Sequence, residues 1–377
     1  MIRDKGRLVG LNDTGIVGPM RKVAIMRTPL IVILLALVAC SDADDQEPSL
    51  DSVQGGIPAD NANQSQLAIS IEALRERSEY AALDKQAVVE LAHAAEERWS
   101  DEFSRFTYQR VERFSAGGVS HWMSIWLHGK TGLEFVLLPG GKFQMGSPES
   151  EADRKEDEGQ SWVTLDPFLI ARTECTREAW KRGASVAGQV GDLSPESDQL
   201  PISGIGPVDV EIWNRESLLT YPTEAQWEYM CRAGTTTPWA MGKNRNDLIR
   251  FANLGSLECP EDWIEMNGIT EPWFDGYGAQ PAPAGTFESN AFGLFDVHGN
   301  LFEWCRDDYF DYDEVQAKNG TGARPGNSGE RLARGGNFGG DATAARSARR
   351  ITAGPGISPE GGGNHGFGFR PSLDLPL

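Results

Sequence analysis

Residues 290–304 read NAFGLFDVHGNLFEW. Asp296 and Glu303 stand on either side of Gly299-Asn300, a pair that bends easily. Apolar residues fill most of the remainder, and Trp304 reads as core. Oxygen atoms gathered at a tight turn suit calcium, which takes six to eight oxygens from acids, amides and backbone carbonyls. His298 reads as a structural residue of the same turn.

Outward from this stretch the chain has 377 residues, 40% of them hydrophobic and 24% charged, enough for one large domain with attachments. Its 43 glycines, 21 prolines and 11 tryptophans describe irregular backbone pinned by aromatic side chains, not a helical bundle. A net charge of −20 argues against nucleic acid or an anionic lipid surface as the main partner and accords with bound cations.

Upstream, residues 20–40 have the anatomy of a signal peptide. Arg21, Lys22 and Arg27 precede an apolar run from Pro29 to Ala39, too short to span a bilayer comfortably. The ending Leu37-Val38-Ala39-Cys40 resembles a bacterial lipobox, which implies lipidation at Cys40, a membrane anchor on the periplasmic or cell-surface face, and Met20 or Met26 as the start. The alternative is an ordinary cleaved signal or a membrane-anchoring segment. Ser41 resembles the residue of lipoproteins sent to an outer membrane. Residues 41–65 are polar and acidic and read as a disordered tether.

Residues 66–130 read as a helical neck and a connecting strand. A helical pattern runs from Gln66 to about Phe114, with Val88, Leu91, Ala95 and Trp99 on one buried face. HWMSIWLHGK (121–130) then alternates like a strand, placing His121 and His128 on opposite faces. GLEFVLLPGGKFQMGS (132–147) reads as a hairpin around Pro139-Gly140-Gly141, and the acidic run 148–159 as solvated surface. WVTLDPFLIARTECTREAW (162–180) reads as a strand entering a helix capped by Thr176. YPTEAQWEYMCRAG (221–234) starts a helix with Thr223 and Gln226 in a capping box.

Five segments, GGKFQMGS, YPTEAQWEYMCRAG, NAFGLFDVHGNLFEW, RLARGGNF (331–338) and HGFGFRPSL (365–373), occur in the order seen in the formylglycine-generating enzyme (sulfatase-modifying factor) family. The chain resembles that family over residues 131–375. The resemblance implies a single α+β domain, C-type-lectin-like and low in regular secondary structure, here preceded by the helical neck.

It also implies two calcium sites. One set of ligands is Asp296 and Glu303 with the carbonyls of Gly299 and Leu301; the other is Asn253, Leu254, Asp275 and Tyr277. The alternative for both is hydrogen bonding without metal. The family's activity is oxidation of a sulfatase cysteine to formylglycine, with copper held by two cysteines, and soft thiolates do select Cu(I). The matching interval is FGGDATAARSARR (338–350). The first cysteine position falls at Gly340, the second within Ala342 to Ala345, and the last cysteine of the chain is Cys305. No catalytic residue is therefore assigned, and copper is not expected. Asn337, Arg346, Arg349 and Arg350 are cleft candidates, with the arginines either meeting an anionic or carbonyl group or bracing core loops.

Cys231 matches a family cysteine that is disulfide-bonded, but its partner position is Ser347; the position of another, after GFR, holds Pro371. Cys175, Cys259 and Cys305 read as buried thiols, and a Cys231–Cys305 pair stays open. The functional expectation is an exported lipoprotein whose domain binds a peptide, a glycan or another envelope protein. The alternatives are an iron-dependent oxidoreductase of the same superfamily, which five scattered histidines do not favour, formylglycine generation itself, or a variable display protein.

Overall fold

The computed structural model describes residues 71–184, 197–267, 271–309, 321–322, 330–353 and 366–375. Cys40, the tether and residues 66–70 lie outside the described residues. The described residues all belong to one unit, Ala62–Leu377. Among the described residues no helix is long and apolar enough to cross a membrane.

The neck begins with a 3₁₀ turn at Ile71–Arg75, followed by α1 (Arg77–Tyr80), α2 (Lys85–Arg98) and α3 (Ser100–Phe103). Asp84 caps α2 by accepting from Ala87 N at 2.9 Å. Val88, Leu91, Ala95 and Trp99 are buried in the main core, so the neck is part of the domain's packing. The helical reading overran its true end. From Phe106 the chain becomes β1 (Phe106–Ala116), paired antiparallel with β2 (Val119–His128). The reversal is Gly117-Gly118 at φ 58° and 77°, the left-handed pair that a tight hairpin requires.

β3 (Glu134–Leu138) and β4 (Gly141–Met145) do not form the expected hairpin. β3 pairs with β2 and with β6 (Phe168–Ala171), while β4 pairs with β5 (Ser161–Leu165). Pro139-Gly140-Gly141 is a corner between two sheets. A Cβ at Gly140 would lie 2.2 Å from the Leu165 carbonyl oxygen, and Gly141 sits at φ 121°, so glycine lets the strands part here. The single strand expected to enter the helix within 162–180 is likewise two strands in different sheets, broken at Asp166-Pro167.

Three short helices follow: α4 (Arg177–Gly183), α5 (Pro207–Ser217) and α6 (Glu224–Arg232). Thr176 caps α4 by accepting from Ala179 N, and Thr223 and Gln226 form the reciprocal box at α6. Every residue of α6 is buried, charged ones included. After α7 (Glu261–Asn267), no regular element is formed by residues 271–301. β7 (Phe302–Asp308), β8 (Arg331–Arg334), β9 (Ile351–Ala353), β10 (Phe367–Gly368) and β11 (Ser372–Asp374) complete the chain.

The larger sheet has the order β1-β2-β3-β6-β11 and the second β10-β7-β8-β9, with β4-β5 apart. One core cluster joins the neck, both large sheets and α6. A smaller one, containing Trp239, Leu254, Trp273, Ala342 and Ala345, supports the segment after β8. The architecture is α+β with few regular elements, as the resemblance implied.

Candidate functional site

β8 delivers Arg334 into the interior, and the chain then turns through Gly335 and Gly336 at φ 104° and 78°. A Cβ on Gly336 would lie 3.0 Å from Ala345 Cα, so only glycine lets the returning chain pass this close. Arg334 Nη1 donates to the carbonyls of Ser347 (2.8 Å) and Arg349 (2.9 Å), fastening that return. Asp341 Oδ1 accepts from Thr343 N and Ala344 N, closing a tight bend.

Three outside groups pin this floor. Glu271, itself held by Arg245, accepts from Ala342 N at 2.7 Å. Trp239 Nε1 donates to the Ala342 carbonyl at 3.0 Å. His298 Nδ1 lies 2.7 Å from the Ala345 carbonyl, while His298 Nε2 accepts from Ala240 N at 3.0 Å. Those partners require a neutral ring with its proton on Nδ1. Burial lowers its pKa to about 4, against the pull of the Ala345 carbonyl. His298 thus ties the floor to the turn before it, a structural role.

A Cβ built on Gly340 would sit 3.5 Å from Ala344 Cβ. That spacing lies within the range of paired cysteines. Of the interval Ala342 to Ala345, position 344 therefore faces 340 closely enough to pair with it. Glycine and alanine offer no sulfur there, so the residues present do not fit a thiolate-held copper ion.

Cys175, Cys231, Cys259 and Cys305 are all free and buried. Cys231 Sγ lies 3.6 Å from Ser347 Oγ and beside His298, not against Cys305. The Cys231–Cys305 pair left open by the sequence is not formed. Burial pushes the Cys231 thiol up to about 12, which leaves it protonated at neutral pH.

Arg346 and Arg350 point inward and their charges are matched by carboxylates. Arg346 donates to Glu158 at 2.6 and 2.8 Å, to Glu151 at 2.8 Å and to the Asp153 carbonyl at 2.9 Å. Arg350 forks onto Glu224, which also pairs with Arg334. These two arginines are internal braces and offer no free guanidinium to a cleft. The run 148–159 is correspondingly more than solvated surface, since Glu158 is fully buried. Burial by itself would raise the Glu158 pKa, but the Arg346 guanidinium and the Ser147 hydroxyl hold it below the usual carboxylate range. Arg349 and Asn337 remain half-buried at the surface of the floor. Asn337 Oδ1 accepts from Gly339 N at 3.2 Å.

The oxygen-rich positions gather at two places. Asp275 accepts from Leu254 N and Tyr277 N, and Asn253 Nδ2 donates to Gln280 O and Asn300 Oδ1. Asn253 Oδ1 is buried without any partner. Around the 296–303 turn, Asp296 Oδ2 accepts from Gly285 N while Oδ1 is buried and orphaned. Gly299, at φ 86°, packs against the Asn253 carbonyl, so the two places adjoin. Glu303 is already engaged by a bidentate Arg370 and by Trp227 Nε1.

Sequence reasoning missed Glu174, whose carboxylate accepts from Asn300 Nδ2 and Leu301 N. Burial first, then neighbouring Asp296 and Glu303, raise its pKa well above the ordinary value. No sequence spacing marks it, because it arrives from the loop after β6. His121 and His128 bond to different partners, the Ala233 carbonyl and Thr131. Among the described residues no group of three or more His, Cys, Asp or Glu is arranged to hold a metal ion by itself.

The model of the sulfatase-modifying factor enzyme 1-like domain matches residues 127–370. The formylglycine-generating enzyme of Thermomonospora curvata is 28% identical over 223 residues, covering 46% of this chain and 70% of that one. The bovine enzyme of the same name is 31% identical over 225 residues, and the match spans 58% of its length. Of solved structures, PvdO from Pseudomonas aeruginosa superposes with a TM-score of 0.55 at 25% identity, over 67% of this chain and 98% of PvdO.

Proposed function

This chain belongs to the sulfatase-modifying factor enzyme 1-like family, and from that membership we propose that it is a binding module of the cell envelope, not a formylglycine-generating oxidase. The observation that supports this reading is that Gly340 and Ala344 face each other with no sulfur on either, the resemblance placing the redox cysteines at Gly340 and within Ala342 to Ala345. Without two thiolates the floor cannot grip Cu(I) and present it to dioxygen. What remains is an irregular surface on a rigid scaffold, an arrangement that suits recognition of a peptide, a glycan or an envelope protein. Lipidation at Cys40 and an outer-membrane anchor form part of the same proposal, as does structural calcium. Support for calcium comes from the orphaned Asn253 Oδ1 and Asp296 Oδ1, oxygens of the type that a hard cation accepts. Asp275 and the Tyr277 carbonyl would complete the first set; Gly299 and Leu301 carbonyls, with Glu303 shared with Arg370, the second. Calcium there would neutralise buried carboxylates and hold the glycine-rich loops together.

The test is incubation of the purified protein, loaded with copper, with a peptide carrying a sulfatase-type cysteine motif. Mass spectrometry should show the cysteine unchanged, and copper should leave on dialysis. The double variant Gly340→Cys/Ala344→Cys should retain copper. Aldehyde made by the native protein would refute the proposal.

A further inference from the structure

A cavity of about 130 Å³ lies away from the cleft floor, between the neck, the β4–β5 hairpin and the end of α6. Arg77, Lys142, Gln144, Trp162, Arg232 and Thr236 are among its lining, and none of them belongs to the floor. Three cations meet here in a chain of net charge −20. Arg232 is neutralised, since its Nε donates to Glu228 at 2.8 Å. Arg77 and Lys142 are not: among the described residues neither side chain has a hydrogen bond or an ion pair, and Arg77 Nε is buried without a partner. Glu76, next in sequence, is exposed and outside the lining.

The arginine is also positioned. A Cβ on Gly234, which sits at φ 96°, would come within 2.6 Å of Arg77 Nη1, so glycine makes room for the guanidinium. On the hairpin, Lys142 Nζ stands 4.9 Å from the centroid of the Trp162 ring, and the indole is 57% exposed.

We propose that this cavity binds a carboxylate borne on a hydroxylated six-membered ring, the chemistry of a uronic acid, free or at the end of an acidic glycan. A planar guanidinium matches a carboxylate, and Lys142 adds a second positive charge. The volume, close to the roughly 150 Å³ that holds one benzene ring, takes the carboxylate end and part of the sugar ring, and the remainder lies along the exposed indole. The open indole supplies a flat apolar wall, and the Gln144 amide and Thr236 hydroxyl supply hydrogen bonds to ring hydroxyls. The site does not rest on the reading of the cleft floor.

Glucuronate, glucose, acetate and benzoate are titrated calorimetrically into the purified full-length protein. Glucuronate should bind at least about tenfold more tightly than each of the other three. Arg77→Gln and Lys142→Gln should each weaken glucuronate about fivefold or more with the melting temperature little changed, since among the described residues neither side chain makes a hydrogen bond or an ion pair. Trp162→Ala should weaken glucuronate and leave acetate as it was. Glucose binding equal to glucuronate would remove the carboxylate from the argument. Equal binding of acetate would remove the ring, and of benzoate the hydroxyls. Any of these, no binding at all, or full affinity in the Arg77 variant overturns the proposal.

Discussion

His298 shows what a single residue contributes at this site. Its ring fills the space between the Ala240 N–H and the Ala345 carbonyl, and His298→Ala leaves both buried groups unsatisfied. The variant should lose about 3 kcal/mol in urea unfolding at pH 7. The same ring sets a pH dependence. Burial depresses His121, His128 and His298 to about 4 in the folded protein, against about 6.5 when unfolded. Between those values the unfolded chain binds protons that the native chain does not. Each histidine's contribution is therefore complete above pH 6.5 and is lost as pH falls toward 4, on the order of 3 kcal/mol apiece. Glu174 and Asp296 act in the opposite sense, because burial raises both and the folded state takes up their protons. Stability measured from pH 7 down to 4.5 should fall less steeply in His298→Ala than in the native protein, and equal slopes would show that the ring titrates normally.

At the scale of elements, the structure is held by buried charges that join distant segments. α6 carries Glu224, bonded to Arg350, and Glu228, bonded to Arg232 and Arg334. The acidic loop after β4 carries Glu158, whose carboxylate meets Arg346 from 188 residues away. Such pairs stabilise little relative to an apolar core, but losing one partner strands the other. Glu158→Gln keeps the pair of Arg346 with Glu151 and should cost about 1.5–3 kcal/mol, read as a lower denaturation midpoint, and loosen the floor beneath Gly340. A change under about 0.5 kcal/mol, the size expected of a surface residue, would show that the loop does not brace Arg346.

For the whole molecule, long irregular segments have to be held without regular backbone ladders. Residues 271–301 contain no helix or strand, and one orphaned oxygen lies within them, at Asp296, and another at Asn253, whose backbone carbonyl packs against Gly299. Chelation should lower the melting temperature by about 5 °C or more, with calcium restoring it, as expected for a ligand present well above its Kd. Asn253→Ala should remove part of that response while keeping the secondary structure unchanged by circular dichroism. A melting curve that is the same with chelator and with calcium would show that neither place holds the ion.

Much of this was legible in the chain. Capping at Thr176 and Thr223, the buried face of α2, the ordered motifs of the α+β family and the absence of a cysteine beyond Cys305 are local facts, set by neighbours a few residues apart. The Gly117-Gly118 hairpin was also local, though the helical periodicity before it hid it. Partnership was not legible. Pro139-Gly140-Gly141 looks like a hairpin until the strands on either side find different sheets, and an acidic run looks solvated until Arg346 arrives to neutralise it. The carboxylate of Glu174, the facing of positions 340 and 344, and the cations of Arg77 and Lys142 around one cavity all join residues far apart in the chain. Sequence spacing governs which backbone conformation a segment prefers; burial and charge compensation depend on what packs against it, and only the folded chain decides that.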